Sequence, residues 1–352
     1  MKKSNKCPVF FPKAAEIRQF PMNTPPILSQ EELGCAMQKL RALAAAMNQV
    51  LFGQKDLIEL VLIGVLARGH ILLEGLPGLG KTELVKGLSR ALDITARRVQ
   101  FTPDLLPGDI TGTPVLQERD GTKNFIFQEG PVFANIMLAD EINRASPKTQ
   151  SALLEAMQER QVTLGETTYP LPDPFLVLAT QNPIDQEGTY QLPEAQLDRF
   201  LFKVLVTYPT REEELQVLEL MASSAKPPET SPVTTPEQVA ASRDLVNQIY
   251  IDDAVRGYIV DLVRATRFPE TVDVKLRGLI RAGASPRATI NLALAARANA
   301  FMHHRSFVTP QDIKDLAHDI LRHRILLSYE AEAENISTDD VIDHILTKVP
   351  VP

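Results

Sequence analysis

The sequence predicts an α/β domain built around a parallel sheet, followed by an all-helical domain. Between His70 and Tyr208, short apolar runs typical of buried strands alternate with segments of helical periodicity. This alternation favours a parallel sheet with helices on both faces. After Tyr208 the strand pattern stops and only helical periodicity continues. Because 352 residues suffice for about two domains, we expect a flexible tail at 1–28, an α/β core at 29–208 and a helical domain at 209–352.

Five segments have the pattern of strands in the predicted sheet. They are residues 70–74, 98–101, 136–140, 175–180 and 202–206. Two further segments are predicted to form β-hairpins, namely 113–127 around Asp120-Gly121 and 161–171 around Gly165-Glu166. Both hairpins would protrude from a core that does not need them, so they are either decoration or functional insertions.

Helical patterns precede and follow the sheet. Ser29-Gln30-Glu31-Glu32 has the form of a capping box that opens a helix through Met47, and a second apolar helix is predicted over residues 57–66. In the C-terminal part, helical periodicity covers residues 211–225, 237–250, 252–267, 286–305 and 310–325. A linker rich in Pro, Ser and Thr interrupts these helices at residues 226–236.

Composition and charge exclude several classes of protein. The net charge of −7 and the pI near 5.5 argue against a basic nucleic-acid binder. No apolar run approaches the roughly 20 residues that span a bilayer, so no membrane insertion is expected. The cysteines, Cys7 and Cys35, have no metal-type spacing and no disulfide pattern. The sequence is typical of a reduced, cytoplasmic protein.

The most specific motif lies at residues 75–82, where GLPGLGKT satisfies G-x-x-x-x-G-K-[ST], the phosphate-binding loop. Glycines let several backbone N–H groups converge on one anion, and the helix that follows points its positive end at the same place. Lys81 would reach the β- and γ-phosphates, and the Thr82 hydroxyl would take a Mg²⁺ position. The residues expected to contact nucleotide here are Gly75, Pro77, Gly78, Leu79, Gly80, Lys81, Thr82 and Glu83.

Two carboxylates follow the predicted strand at 136–140. A buried strand would deliver Asp140 to the edge of the sheet beside Thr82, where a carboxylate can hold Mg²⁺ through water. Glu141, pointing to the other side of the strand end, could polarise a water for attack on the γ-phosphate. The alternative is a strand that merely ends in acidic surface residues.

Three further polar residues are candidates, each with an ordinary alternative. Asn182 follows the strand at 175–180 and could orient the attacking water, although an Asn before Pro183 is common in turns. Arg199 could stabilise phosphoryl-transfer charge, in its own chain or from a neighbour, or form a surface ion pair. Arg287 falls in the first turn of a helix, where a cation opposes the dipole unless an anion lies nearby. Bound nucleotide would be such an anion, and solvent exposure is the alternative.

The order of these motifs resembles the MoxR family of AAA+ ATPases over almost all of residues 30–350. The resemblance is most specific in ADEINRASPKTQSALLEAMQE, residues 139–159. Further family-like stretches are FTPDLLP at 101–107, Gln181-Asn182-Pro183 and LPEAQLDRF at 192–200.

The resemblance implies an AAA+ P-loop NTPase core with a C-terminal helical lid, using ATP and Mg²⁺. Residues 75–82 would be the Walker A loop, and Asp140 and Glu141 the Walker B pair. Asn182 would be sensor 1, Arg199 the arginine finger and Arg287 sensor 2 on the lid.

The resemblance also implies roles outside these motifs. The turn Phe52-Gly53-Gln54 would lie near the adenine, so Gly53 and Gln54 are counted among the nucleotide-binding residues. Gln100 could switch Glu141 on and off, and the two hairpins would face a ring pore or a client.

The function implied is an ATP-driven, chaperone-like remodelling ATPase that forms a ring, expected to be a hexamer. MoxR-like proteins are thought to act on proteins with von Willebrand factor A domains, in complex maturation or metal insertion. A metal-chelatase ATPase subunit is a close alternative. A nucleic-acid motor is disfavoured, because neutralising phosphates needs several cations and the first hairpin offers only Arg119 and Lys123. A scaffold that binds ATP without hydrolysis is disfavoured by Glu141 and Arg199.

Overall fold

The structure is a computed structural model that describes residues 30–48, 51, 53–75, 80–119, 122–183, 188–222 and 230–352. Several predictions lie outside the described residues. They concern the tail at 1–28, Ser29 of the capping box, Phe52, Pro77, Gly78, Leu79, the turn residues Asp120 and Gly121, and residues 223–229 of the predicted helix and linker.

Up to residue 206, the described chain alternates helices and strands. The helices are α1 (Gln30–Asn48), α2 (Lys55–Leu66), α3 (Lys81–Leu92), α4 (Pro107–Thr111), α5 (Pro147–Glu159) and α6 (Glu194–Leu197). The strands are β1 (Ile71–Gly75), β2 (Ala96–Gln100), β3 (Gly112–Arg119), β4 (Thr122–Glu129), β5 (Ile136–Asp140), β6 (Gln161–Leu164), β7 (Thr167–Pro170), β8 (Leu176–Gln181) and β9 (Phe202–Val206).

Five of these strands form one parallel sheet in the order β2-β5-β8-β1-β9. The five predicted strands are therefore confirmed, and their ends differ from the prediction by at most two residues. Because all five strands run in the same direction, the residues that follow β1, β5 and β8 meet at one edge of the sheet. The phosphate-binding loop, Glu141 and Asn182 all follow one of these three strands.

The sheet is covered by apolar side chains on both faces. Ile71 and Leu73 of β1 are fully buried in the cluster that includes α2 and α3, whereas Leu72 between them is fully buried in the cluster that includes α5. This alternation follows from the period of two along a strand. The first cluster continues into the C-terminal helices, and α2 contacts both α8 (Pro236–Asn247) and α10 (Pro286–Met302).

Both predicted hairpins are present as antiparallel pairs, β3 with β4 and β6 with β7. They contact each other through aromatic rings, since the centroid of Phe127 on β4 lies 4.2 Å from that of Tyr169 on β7. Phe127 also packs edge to face on Phe133, at 5.6 Å. The first hairpin exposes apolar side chains along its strands, of which Phe125 is 75% exposed.

The C-terminal part is helical, as predicted, with one addition. Its remaining helices are α7 (Arg211–Met221), α9 (Asp253–Arg267), α11 (Pro310–Leu321), α12 (Tyr329–Ala333) and α13 (Thr338–Lys348). The prediction of helices alone was wrong in one detail, because β10 (Ile280–Ala282) and β11 (Leu326–Leu327) form a small antiparallel sheet. These strands are too short to produce a sequence pattern.

Four helices in this part end earlier than predicted, among them α7 at Met221 rather than at residue 225 and α8 at Asn247 rather than at residue 250. The helix α10 ends at Met302 rather than at residue 305, and His304 adopts a left-handed φ of 58° just beyond it. The helix α11 ends at Leu321 rather than at residue 325. In the part of the chain that the structure covers, no helix is both long and apolar enough to cross a membrane.

Candidate functional site

A cavity of about 320 Å³ opens at the carboxyl edge of the sheet. It is bounded by residues from β1, α3, β2, β5 and β8 and from the segments that follow them. The described lining residues are Gly75, Gly80, Lys81, Thr82, Glu83, Arg98, Gln100, Asp140, Glu141, Thr180, Gln181 and Asn182. The structure therefore brings together most of the predicted nucleotide-binding residues that it describes.

The start of α3 shapes the floor of this cavity. Gly80 precedes the helix with a φ of 76°, a left-handed conformation that glycine adopts without strain. The Lys81 Nζ donates a hydrogen bond of 2.7 Å to the Gly75 carbonyl oxygen, across the loop. Burial lowers the pKa of Lys81, and the charges of Asp140 and Glu141 act in the opposite direction. When nucleotide binds, this ammonium group could donate its hydrogen bonds to phosphate oxygens instead of the Gly75 carbonyl oxygen.

Asp140 ends β5, and hydrogen bonds fix both of its carboxylate oxygens. Oδ1 accepts a hydrogen bond of 2.6 Å from the Thr180 hydroxyl, and Oδ2 accepts one of 2.7 Å from Arg98 Nη2. Thr180 is buried on the neighbouring strand β8 and its hydroxyl oxygen also accepts a 2.8 Å hydrogen bond from the Glu141 N–H. Thr180 thus fixes the carboxylate of Asp140 and the backbone of Glu141.

The donors present fit Mg²⁺ bound together with nucleotide phosphates. Magnesium prefers oxygen ligands and is usually held by one or two carboxylates, water and phosphate oxygens. Thr82 and Asp140 supply a hydroxyl and a carboxylate on the same cavity. Within the described ranges, no group of three or more His, Cys, Asp or Glu side chains could hold a metal ion, so phosphates would have to complete the coordination.

Glu141 has an unusual backbone conformation. Its φ is 56°, in the left-handed region that costs a residue with a side chain about 1–2 kcal/mol. Strain of this kind persists only where the surroundings enforce it, and it is concentrated at functional sites. The carboxylate Oε2 accepts a hydrogen bond of 2.8 Å from Gln100 Nε2 and lies 3.0 Å from Arg144 Nε.

The turn at Gly53-Gln54 does not line this cavity. Gly53 has a φ of 72°, and a Cβ at this position would lie 2.5 Å from the side chain of Glu213 on α7. The turn therefore packs against the first helix of the C-terminal part, and its expected contact with adenine stays a prediction.

Arg199 and Arg287 lie together in a different cavity, of about 180 Å³. Its other lining residues are His70, Met157, Gln158, Asp198, Ile290 and Asn291. Arg287 Nη1 is 3.6 Å from the Asp198 carboxylate, and Arg287 Nη2 donates a 3.4 Å hydrogen bond to Gln158 Oε1.

This second cavity is at the amino edge of the sheet, because His70 immediately precedes β1. The phosphate-binding loop follows the other end of the same strand. Within one chain, Arg199 and Arg287 therefore do not share the cavity of Lys81 and Glu141, and their contact with nucleotide stays a prediction.

Sequence reasoning missed three residues that contact the Walker-type carboxylates, namely Arg98, Thr180 and Arg144. Arg98 lies two positions before Gln100, on the same face of β2, so strand periodicity could have revealed it. Thr180 is the last buried residue before Asn182, and its polarity in an apolar strand was an available signal. Arg144 follows Glu141 by three positions, but only the observed turn shows that they pair.

Comparisons with known proteins agree with this geometry. The sequence model of the ATPase family associated with various cellular activities (AAA) matches residues 70–202, and that of the AAA lid domain matches residues 277–345. The chain is 43% identical over 333 residues to the protein named Chaperone MoxR1 from Mycobacterium tuberculosis, covering 94% of this chain and 87% of the relative.

Two further proteins are similar over most of their length. The uncharacterized protein YeaC of Bacillus subtilis is 46% identical over 311 residues, which cover 87% of this chain and 92% of YeaC. A crystal structure of a protein assigned as an ATPase, from Cytophaga hutchinsonii, superimposes with a TM-score of 0.87 at 48% identity. That match covers 92% of this chain and 98% of the other.

Proposed function

Because the chain belongs to the MoxR family of AAA+ ATPases, we propose that it hydrolyses ATP at sites shared between neighbouring subunits of a ring. The observation that carries this proposal is the separation of two cavities, one with Lys81 and Glu141 and one with Arg199 and Arg287. They lie at opposite ends of β1, whose five residues span roughly 16 Å. A head-to-tail contact would bring the arginines of one subunit to the phosphate cavity of the next, and its repetition can close a ring. We expect six subunits.

In this proposal each subunit binds ATP and activates water with its own residues. Lys81 binds the β- and γ-phosphates, while Thr82 and Asp140 hold Mg²⁺, which neutralises phosphate charge when bound. Glu141 accepts the proton of the attacking water, and Asn182 orients that water. The hydrogen bonds that fix Asp140 and Glu141 through Thr180 support these roles.

The neighbouring subunit supplies the cations. Arg199 stabilises the charge that develops on the γ-phosphate, and Arg287 binds the same phosphates. Both guanidinium groups border one cavity, and among its described lining residues Asp198 is the only carboxylate. This supports their pairing with an anion from outside the chain.

We further propose that the ATPase acts on protein clients as a chaperone, with von Willebrand factor A domains as the client class that the family resemblance suggests. The name of the Mycobacterium tuberculosis relative, Chaperone MoxR1, supports a protein client. The net charge of −7 and the exposed apolar side chains of the first hairpin also suit a protein better than nucleic acid. DNA should therefore leave the ATPase rate unchanged, and stimulation by DNA would favour a motor.

Mixing two inactive variants tests the shared site. Arg199→Ala retains its own phosphate cavity, and Glu141→Gln retains its arginines. If the site is shared, an interface is active when an Arg199→Ala subunit supplies the phosphate cavity and a Glu141→Gln subunit supplies the arginines. In a randomly assembled 1:1 mixture, about one quarter of the interfaces have this arrangement. The specific activity of the wild type should also rise with protein concentration. Inactive mixtures, together with turnover that does not depend on concentration, would reject the proposal.

A further inference from the structure

The segment that carries Arg199 is held by one buried guanidinium from the helical lid. Arg324 follows α11 and only 1% of its side chain is exposed. Its Nε donates a hydrogen bond of 2.8 Å to the Asp198 carboxylate Oδ1. Its Nη2 donates to the carbonyl oxygens of Asp198, at 3.2 Å, and Phe200. Its Nη1 donates to the carbonyl oxygens of Leu201, at 3.3 Å, and Ile320.

These contacts use the full donor capacity of the side chain. A guanidinium carries five N–H donors in a fixed, planar fork, and Arg324 makes five hydrogen bonds. Four of them end on residues 198–201, on both sides of Arg199. Burial lowers the pKa of Arg324 to about 10, so the group still carries its charge near neutral pH.

Other lid residues converge on the same segment. The Ser285 hydroxyl donates a 2.9 Å hydrogen bond to Asp198 Oδ2, the oxygen that also faces Arg287. His323 Nε2 lies 3.3 Å from the Phe200 carbonyl oxygen. Residues 198–201, which connect α6 to β9, are therefore held to the lid by several polar contacts in addition to the chain itself.

We infer that Arg324 is a positioning residue, through which the lid determines the position of Arg199. Since a planar fork with five engaged donors fixes both distance and orientation, residues 198–201 should move with the lid. A change in the lid of one subunit would then move the arginine that this subunit presents to its neighbour. This inference rests on the proposed role of Arg199 in a shared site.

The test uses Arg324→Lys, which keeps the charge but offers fewer donors without the planar fork. We expect the ATPase rate of the full-length variant to fall about tenfold or more, because an arginine finger supplies a large part of the rate. Its own ATP binding should be unchanged, since Arg324 does not border the phosphate cavity. Mixing with Glu141→Gln should restore activity, because that partner presents a correctly held Arg199. A merely structural role would not be rescued in this way.

The matched control is Arg305→Ala, which removes another lid arginine paired with the buried Asp312. The contacts of Arg305 are with Thr309 and Asp312 rather than with residues 198–201, so a folded Arg305→Ala should keep its ATPase rate. If Arg324→Lys does not fold, Asp198→Asn weakens the same contact, and its lost activity should likewise return on mixing.

The outcomes separate the two ideas. If mixing with Glu141→Gln restores ATPase activity to Arg199→Ala but not to Arg324→Lys, the inference about Arg324 is overturned and the shared site still stands. Full activity of Arg324→Lys alone would also overturn it. No recovery in either mixture would reject the shared site, and the inference would fall with it.

Discussion

Gln100 on β2 donates a hydrogen bond of 2.8 Å to the carboxylate of Glu141, 41 positions further along the chain. Arg144 contacts the same oxygen, Oε2, at 3.0 Å. Together these two contacts hold the carboxylate beside β2. In the proposed mechanism, Gln100 and Arg144 therefore restrain the carboxylate that has to reach the attacking water.

Replacing Gln100 should therefore free the Glu141 carboxylate from one of its two contacts. We expect Gln100→Ala to raise the basal ATPase rate about three- to tenfold, because a hydrogen bond to a charged group contributes about 1.5–3 kcal/mol and Arg144 remains. Steady-state phosphate release measures the effect. The double variant Gln100→Ala/Glu141→Gln should show no such rise, and a lower rate in the single variant would mean that Gln100 positions Glu141 productively.

Replacing Glu141 itself should separate binding from hydrolysis. Glu141→Gln keeps the size of the side chain but cannot accept a proton, so we expect single-turnover hydrolysis to slow by about 10²-fold or more. ATP affinity, measured by equilibrium binding, should change little. An unchanged rate would exclude Glu141 as the activating carboxylate.

Lys81 should determine affinity for the nucleotide. Lys81→Ala removes a charge-assisted contact with the phosphates, and we expect ATP binding to weaken by about 10- to 100-fold. The matched control is Lys86→Ala, five positions further along α3, where Lys86 is exposed and pairs with Glu83. Equal losses in the two variants would show that helix charge, rather than the position of Lys81, determines affinity.

His70 should make stability depend on pH. The ring is buried, with Nε2 at 3.1 Å from the Met157 carbonyl oxygen and Nδ1 accepting a 3.0 Å hydrogen bond from the Val177 N–H. This arrangement requires a neutral ring, and burial lowers the pKa to about 4 from 6.5. Since the unfolded chain binds a proton below pH 6.5 and the folded chain does not, stability should fall as the pH drops from 6.5 to 4.

The loss attributable to His70 should reach about 3 kcal/mol near pH 4. His70→Gln keeps one donor and one acceptor but does not titrate, so its free energy of unfolding should fall less steeply in urea titrations at pH 7, 5.5 and 4.5. Burial also lowers the pKa of His323, so only the difference between the two proteins measures His70. If the free energy of unfolding of the two proteins fell equally with pH, His70 would not be the source of the dependence.

The aromatic contact between Phe127 and Tyr169 should couple the two hairpins. Such a pair contributes about 0.5–1.5 kcal/mol, and we expect Phe127→Ala to speed amide hydrogen exchange in both hairpins. Phe125→Ala, two positions away and 75% exposed, is the control and should leave exchange in β6 and β7 unchanged. Faster exchange confined to β3 and β4 would show that the hairpins move independently.

Features that depend on a local stretch of sequence, such as the strands, could be predicted. Contacts between side chains far apart in the sequence could not. The strands and the motifs after them follow from apolar runs and glycine spacing, so β1, β5 and β8 could be placed together with the loop, Asp140 and Asn182. The pairing of Arg98 with Asp140 depends on the register of β2 against β5, which no local pattern specifies. The shared cavity of Arg199 and Arg287 depends on how the lid packs, and the first-turn position of Arg287 gave no sign of it.

The position of β1 in the sheet has a consequence for synthesis of the chain. Ile71 pairs with Leu178 of β8 on one side and with Phe202 of β9 on the other. Both partners are translated more than a hundred residues after β1, which at about 5–20 residues per second leaves the strand unpaired for several seconds or more. A nascent chain that ends before β9 has β1 paired on one side at most. The capacity to bind nucleotide should therefore arise late, only after β9 has been translated and has left the ribosome.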